Sequence, residues 1–205
     1  MSDLSGNFQI MLLTFMRGRS INFLKGFINE RTGEKIEGKV DKSELVNKIN
    51  EIVTNSHRLI IWSKGHEITK FNNKKVLKQV HPDMRLNKYA DQLMNVILTA
   101  IKVEYLELKS TGLTDEQVMD RLFPGELARH AKRNLSANHP TKQELKKVND
   151  DKILFNVITY LGAEILELSG NAARDFKKRT VSPIHIELVL EIDEELQQLV
   201  NNLVV

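Results

Sequence analysis

The stretch YLGAEILELSGNAARDFKKRT, residues 160–180, holds two kinds of side chain that could do chemistry. Glu164 and Glu167 lie three apart, a spacing that puts both carboxylates on one side of a helix. Such a pair could serve acid–base catalysis or hold a metal ion. The second kind is cationic. Lys177, Lys178 and Arg179 form a run suited to neutralising phosphates. Catalysis lacks company, however. The six histidines (His57, His66, His81, His130, His139 and His185) are scattered rather than set at ligand spacing beside the acids. They read as capping, surface or packing residues, and no phosphate-binding glycine loop or nucleophile motif accompanies them. An enzyme is therefore not expected, and no cofactor or metal is implied. Taken alone, the basic run reads as a solvated helix end, stabilised by the helix dipole at about 0.3–1 kcal/mol per charge. The acids, taken alone, read as a solvated face.

The elements that must position these groups follow from hydrophobic spacing. In the quoted stretch Leu161, Ile165, Leu168 and Ala172 share one helical face, with the two acids on a neighbouring, outward one. Between residues 73 and 131, NKKVLKQVHPD reads as a short helix stopped near Pro82 and NKYADQLMNVILTAIKVEYLELKSTG as a long one stopped by Gly112. LTDEQVMDRLFPGELARHAKR then opens at a Thr114 cap, breaks at Pro124 and resumes. The last third nearly repeats the pattern, with a long helix through DKILFNVITYLGAEILELSGNAARDFKK and a short one capped by Ser182 with Pro183 at its first position. The middle and end thus read as all-helical. A long helix with two short partners cannot bury its apolar stripe alone, and each large side chain buried contributes about 1.5–3 kcal/mol. Two such units should pack together.

Residues 1–72 are less regular. NFQIMLLTFMRGRSINFLKGFINE is apolar, ERTGEKIEGK reads as a turn or hairpin, and DKSELVNKINEIV begins a helix near 41–57 with a capping box at Asp41 and Glu44. RLIIWSK reads equally as a short strand or as that helix's last turn.

The chain has 205 residues, 41% of them hydrophobic and none of them cysteine, which excludes a disulfide framework and a thiolate metal site. No run of about 18 apolar residues is present and the N-terminus lacks a signal pattern, so neither membrane insertion nor secretion is expected. The net charge of +3 is unevenly spread: residues 1–72 and 73–140 each carry 11 basic and 8 acidic side chains, and residues 141–205 carry 8 and 11. The acidic last third nevertheless contains the densest basic run, so local placement matters more than the mean.

YLGAEILELSGNAARDFKK followed by SPIHIELVLEIDEEL closely resembles the second and third helices of core histone 2A. KKVLKQVHPD and FPGELARHA, in that order before it, resemble the first helix and the third-to-C-terminal helix junction of core histone 2B. The order resembles the histone 2B–2A doublets of giant DNA viruses of the marseillevirus type, in a shortened form. The resemblance covers residues 73–131 and 151–199. It implies a mainly α protein with two tandem histone folds paired as an intramolecular handshake. On this reading residues 1–72 are an N-terminal extension of α or α+β structure packed on the core, 73–135 the 2B-like fold and 136–205 the 2A-like fold. A linker around 132–150 would make pairing intramolecular, at effective concentrations on the order of millimolar. Gly162, Ala163, Ser169, Gly170, Ala172 and Ala173 would let the two central helices approach closely.

The resemblance implies DNA contacts at Lys75, Arg85, Lys88, Lys177, Lys178, Arg179 and Thr180. Thr180 stands where the family has an arginine, with Arg179 as substitute, oriented by Asp175. It implies an acidic patch of Glu126, Glu164, Glu167, Asp193, Glu194 and Glu195. The patch is reduced, because Thr159 and Asn134 stand at two acidic positions of the family. Further departures are a basic-free loop STGLTD, a 2A-like first helix reduced to HPTKQELKKVND with Lys142, Lys146 and Lys147, and an end at LQQLVNNLVV without the family's docking segment. The implied role is a structural DNA-packaging protein. Its implied partners are double-stranded DNA, a histone 4–3 type doublet and a second copy of itself, with no membrane and no small-molecule substrate. The implied location is the virion and the viral factory, nucleus or cytoplasm of the infected cell. The alternative is a regulatory histone-fold module that binds DNA or protein without forming octamers.

Overall fold

In the computed structural model the described residues are 20–32, 34–51, 55–136 and 152–203. They are mainly helical. Three short helices come first: α1 (Ile21–Thr32), α2 (Lys42–Glu51) and α3 (Asn55–Trp62), the last running into a 3₁₀ turn at Ser63–Gly65. The stretch RLIIWSK is therefore helical rather than a strand, and the expected helix over 41–57 is helical at 42–51 and at 55–57, with 52–54 outside the described residues. Asp41 caps α2 by accepting from the Ser43 amide and hydroxyl, both at 2.6 Å. Those bonds hold its carboxyl below the usual range. No strand forms in the described part of ERTGEKIEGK; the backbone turns at Gly38, whose φ is 80°.

The first helical set comprises α4 (Asn73–Val80), the two-residue strand β1 (Arg85–Leu86), α5 (Lys88–Ser110), α6 (Asp115–Leu122) and α7 (Gly125–Ser136). Its boundaries have local causes. Asn72 caps α4 and Asn87 caps α5 with side-chain oxygens. Gly112, at φ 89°, takes the left-handed turn after α5. Thr114 and Gln117 make a reciprocal capping box on α6. The second set comprises α8 (Lys152–Asp175), β2 (Thr180–Val181), α9 (Pro183–Ile192) and α10 (Glu194–Asn202). Ser182 and His185 form the box that opens α9.

The two sets share one core. α8 packs against α4, α5, α7 and α9. Leu98 and Tyr105 of α5, Met119 of α6, Leu127 of α7, Leu161 and Ile165 of α8 and Leu190 of α9 are all buried in a single cluster. α8 is long and apolar enough to cross a membrane by length and composition; here it is the central core helix. The first three helices are not a separate tail. α3 lies on α5, α9 and α10, with Leu59 and Ile60 fully buried.

The all-helical expectation needs one correction. β1 and β2 pair in parallel, Arg85 opposite Thr180 and Leu86 opposite Val181. Two residues per strand are too few for alternation to register in sequence, and the pairing joins residues 95 positions apart. The stretch HPTKQELKKVND lies outside the described residues, as do residues 1–19.

Candidate nucleic-acid interface

The loop after α8 is built by the helix's own ending. Lys177 takes a left-handed conformation with φ 55°. Its amide donates to Arg174 O at 2.7 Å and the Lys178 amide to Ala173 O at 2.8 Å. This is the Schellman termination, with lysine where glycine is usual. It turns the chain so that Arg179 O accepts from the Arg85 amide at 3.0 Å and Val181 O from the Asn87 amide at 2.9 Å. Side chains of a strand alternate. Arg85 and Thr180 point to solvent, while Leu86 is half-buried and Val181 buried.

Arg85, Lys88, Lys177, Lys178, Arg179 and Thr180 are thereby assembled on one exposed edge. No carboxylate engages any of the five cations among the described residues. The edge is anchored from below. His81, buried at 3% exposure, donates from Nε2 to Glu167 O at 2.8 Å. Arg174 bonds Asp83 at 2.7 Å and holds its carboxyl below the usual range. Both ties run from the loop between α4 and β1 to α8. His81 was read only as one of six capping, surface or packing histidines, and Asp83 and Arg174 were not marked, because nothing in their spacing signals contacts across the chain.

Two further residues stand apart from the run. Lys75 sits in the first turn of α4 and lines a groove with Val76, Leu106 and Phe155. Asp175 does not bond Arg179 among the described residues; the arginine that finds a carboxylate is Arg174.

A left-handed lysine costs about 1 kcal/mol relative to glycine. Lys177→Gly is expected to raise the unfolding free energy by about 1 kcal/mol in urea titration while weakening DNA binding. A stability gain without loss of affinity would remove Lys177 from the interface.

The acids gather from α7, α8 and the start of α10, and they divide by role. The Glu195 carboxylate accepts from the Glu126 and Leu127 amides at 2.7 and 3.0 Å, capping α7. Gly125 lets it approach, since a Cβ there would lie 2.6 Å from Glu195 Oε1. Asp193 caps α10 through the Leu196 amide at 2.9 Å. Glu126 pairs with Arg129 and lies 3.8 Å from His130. Glu167 and Glu194 are exposed and Glu164 half-buried, so these three carry the accessible charge. Burial, then repulsion from Glu167, Asp193 and Glu195, raises the Glu164 carboxyl above its ordinary value, against a smaller opposing pull from His130. Burial with the charges of Glu164 and Glu195 likewise raises the Tyr160 phenol. Thr159 faces the groove rather than this cluster. The Asn134 side chain lies outside the described residues.

The sign of the Glu164 effect is definite. A carboxyl raised on folding adds stability below its unfolded value, and that stability is lost as pH rises through the folded one. Glu164→Gln is expected to gain on the parent protein as pH rises from about 4 to neutrality. Thermal melts across that range check it; a constant difference would contradict the repulsion.

No protein-family model matches the chain. Similarity to curated proteins covers a quarter of it. The chain is 55% identical over 49 residues to a histone 2A of Agaricus bisporus, matching 24% of this chain and 35% of that protein. It is 50% identical over 52 residues to histone 2A proteins of Lodderomyces elongisporus and Scheffersomyces stipitis, 25% of this chain and 40% of each of theirs. The chain thus spans between a third and two-fifths of the length of these relatives. It contains a segment related to histone 2A.

Proposed function

We propose that the chain is a structural chromatin protein carrying two histone folds, 2B-like over 73–135 and 2A-like over 136–205, clasped within one polypeptide. It is not an enzyme: its work is to hold cations along a rigid edge. The observation that carries the reading is the parallel pair β1–β2, which joins the loop before α5 to the loop after α8, in and beside which five exposed cations lie. Such an edge suits sequence-independent phosphate contact with release of counterions. A covalent connection keeps the two folds together on dilution. In the full reading two copies assemble with two histone 4–3 type doublets and wrap viral DNA into nucleosome-like particles, in the virion and the infected cell. α3 lies across α5, α9 and α10 and covers part of the shared core.

A second reading, a histone-fold module that binds DNA or protein without forming octamers, is favoured by one observation. The turn after α5, Thr111–Gly112–Leu113–Thr114, carries no lysine or arginine, so the edge is basic at one end only. Mixing the protein with a 4–3 type doublet and DNA, then digesting with nuclease, separates the two. A discrete protected length on the order of 120–147 base pairs supports wrapping. A smear with no discrete length supports the module.

A further inference from the structure

Thr180 sets a hydroxyl on the cationic edge, and that hydroxyl is uncommitted. Those of Ser43, Ser110 and Thr111 donate to nearby oxygens, and that of Thr114 accepts from the Gln117 amide. Ser182 Oγ lies 3.1 Å from His185 Nδ1. The Thr180 hydroxyl, exposed on β2, makes no such bond among the described residues. The backbone presents it. After the left-handed turn at Lys177 the chain runs extended through Thr180 and Val181 to Ser182, at φ −117° and ψ 166°. Lys177, Lys178 and Arg179 fill the three positions before the threonine, and no carboxylate occurs between Asp175 and Glu187. Arg85 stands opposite Thr180 in the parallel pair. Neighbouring strands lie about 4.8 Å apart, and both of these side chains are exposed.

We propose that Thr180 is a phosphorylation site for a protein kinase that selects basic residues before its acceptor, and that Arg85 holds the phosphate once it is attached. In the transfer Thr180 Oγ1 attacks the γ-phosphorus of a nucleoside triphosphate. The new O–P bond forms as the bond from that phosphorus to the β–γ bridging oxygen breaks, nucleoside diphosphate leaves, and the hydroxyl proton passes to the aspartate of the kinase's catalytic loop. An extended acceptor with a free hydroxyl can enter a kinase cleft without unfolding the core, and the three preceding cations supply the charge that a carboxylate-lined cleft selects. The product carries about −1.5 to −2 charges at pH 7 and three acceptor oxygens. The Arg85 guanidinium, on the neighbouring strand, offers the planar fork that binds such a group bidentately. The attached phosphate then offsets up to about two of the five positive charges of the edge. An edge that binds the phosphates of a duplex is thereby filled by its own. Release of DNA is a consequence that rests on the proposed function; the site and its arginine do not.

The test uses the full folded chain, the catalytic subunit of cyclic-AMP-dependent protein kinase and ATP, with the acceptor mapped by mass spectrometry. Phosphate is expected at Thr180. Affinity for a duplex is then expected to fall about thirtyfold at 0.15 M salt, with about 1.8 lost from the slope of log K against log salt, the equivalent of two phosphate contacts. Thr180→Val treated with the kinase should bind as untreated Thr180→Val does. Phosphorus NMR gives an arm without DNA. The second ionisation of the phosphate, ordinarily near about pH 6, is expected at lower pH beside Arg85 and back near its ordinary value in Arg85→Ala. Phosphate elsewhere on the chain with none at Thr180 would overturn the proposal, as would an equal loss of affinity on treating Thr180→Val. So would a phosphate that titrates at its ordinary value in both the parent and the Arg85→Ala protein. A phosphate held by Arg85 on a chain that binds no duplex, modified or not, would support the site and count against the DNA-facing reading instead.

Discussion

Replacing Arg85, Lys178 and Arg179 together by alanine is expected to weaken DNA binding about a hundredfold at 0.15 M salt, with no loss of folding stability. The magnitude follows from counterion release. Each phosphate neutralised contributes about 0.9 to the slope of log K against log salt, so three contacts remove about 2.7 from that slope. At 0.15 M salt the same three contacts are worth about two decades of affinity. All three side chains are exposed, and none is paired with a carboxylate among the described residues, so their removal leaves no buried charge behind. The readout is the slope itself, taken from titrations between about 0.05 and 0.2 M salt. A hundredfold loss with an unchanged slope would indicate damage elsewhere. An unchanged affinity would mean that the basic run is solvated surface.

The second large effect lies at Gly170. A Cβ placed there would lie 2.0 Å from His81 Cδ2, 2.2 Å from Nε2 and 2.9 Å from Cγ. The ring is no free end that can step aside, because it is buried and held by its bond to Glu167 O at 2.8 Å. Gly170→Ala must either strain the packing, about 1–3 kcal/mol, or expel the ring and leave its bond unmade, also about 1–3 kcal/mol. By either route the loss is a large part of the roughly 5–15 kcal/mol that holds a domain folded. It corresponds to a fall in melting midpoint of about 2–12 °C for a chain of this size. In a His81→Ala background the obstacle is gone. There Gly170→Ala should stabilise by about 0.5–1 kcal/mol, the ordinary gain of alanine over glycine inside a helix. This reversal of sign in a double-mutant cycle is the diagnostic. Additive losses would show that the histidine ring is not what requires the glycine. Gly162→Ala provides the contrast: 3.4 Å to Leu98 is an ordinary contact, so little change is expected.

That contrast shows what sequence can convey. The small residues between Gly162 and Ala173 read as one stripe serving the contact of the two long helices. Gly162 does serve it. Gly170 serves a histidine from the loop after α4, 86 residues away from the carbonyl that the histidine binds. The stripe was legible because helical spacing is local; the identity of what it meets was not, because that is a tertiary fact. The same division runs through the acids. Glu164 and Glu167 were legible as outward-facing from their offset against Leu161 and Ile165. That Glu195 is spent on the amides of Glu126 and Leu127 was not, since a carboxylate capping another helix leaves no mark in its own neighbourhood.

Helix ends were the most legible features. Thr114, Ser182, Pro183 and Gly112 mark boundaries through chemistry confined to a few residues. Lys177 escaped the same logic because a left-handed helix terminus usually announces itself as glycine. The first helices were the least legible. In α3, Leu59 and Ile60 are adjacent and both buried, against α5, α9 and α10, and adjacent apolar residues give no period by which to tell helix from strand.

On the proposed reading Arg85 and Thr180, 95 residues apart in the sequence, form one DNA-facing edge. The absence of cysteine allows a direct measurement. Arg85→Cys and Thr180→Cys variants are each labelled with a hydroxyl-radical-generating iron chelate, assembled on an end-labelled duplex, and the strand cuts mapped. Because the two residues are partners across β1–β2, both labels are expected to cut the same few nucleotides. Cuts at unrelated positions, or from only one of the two labels, would contradict the claim.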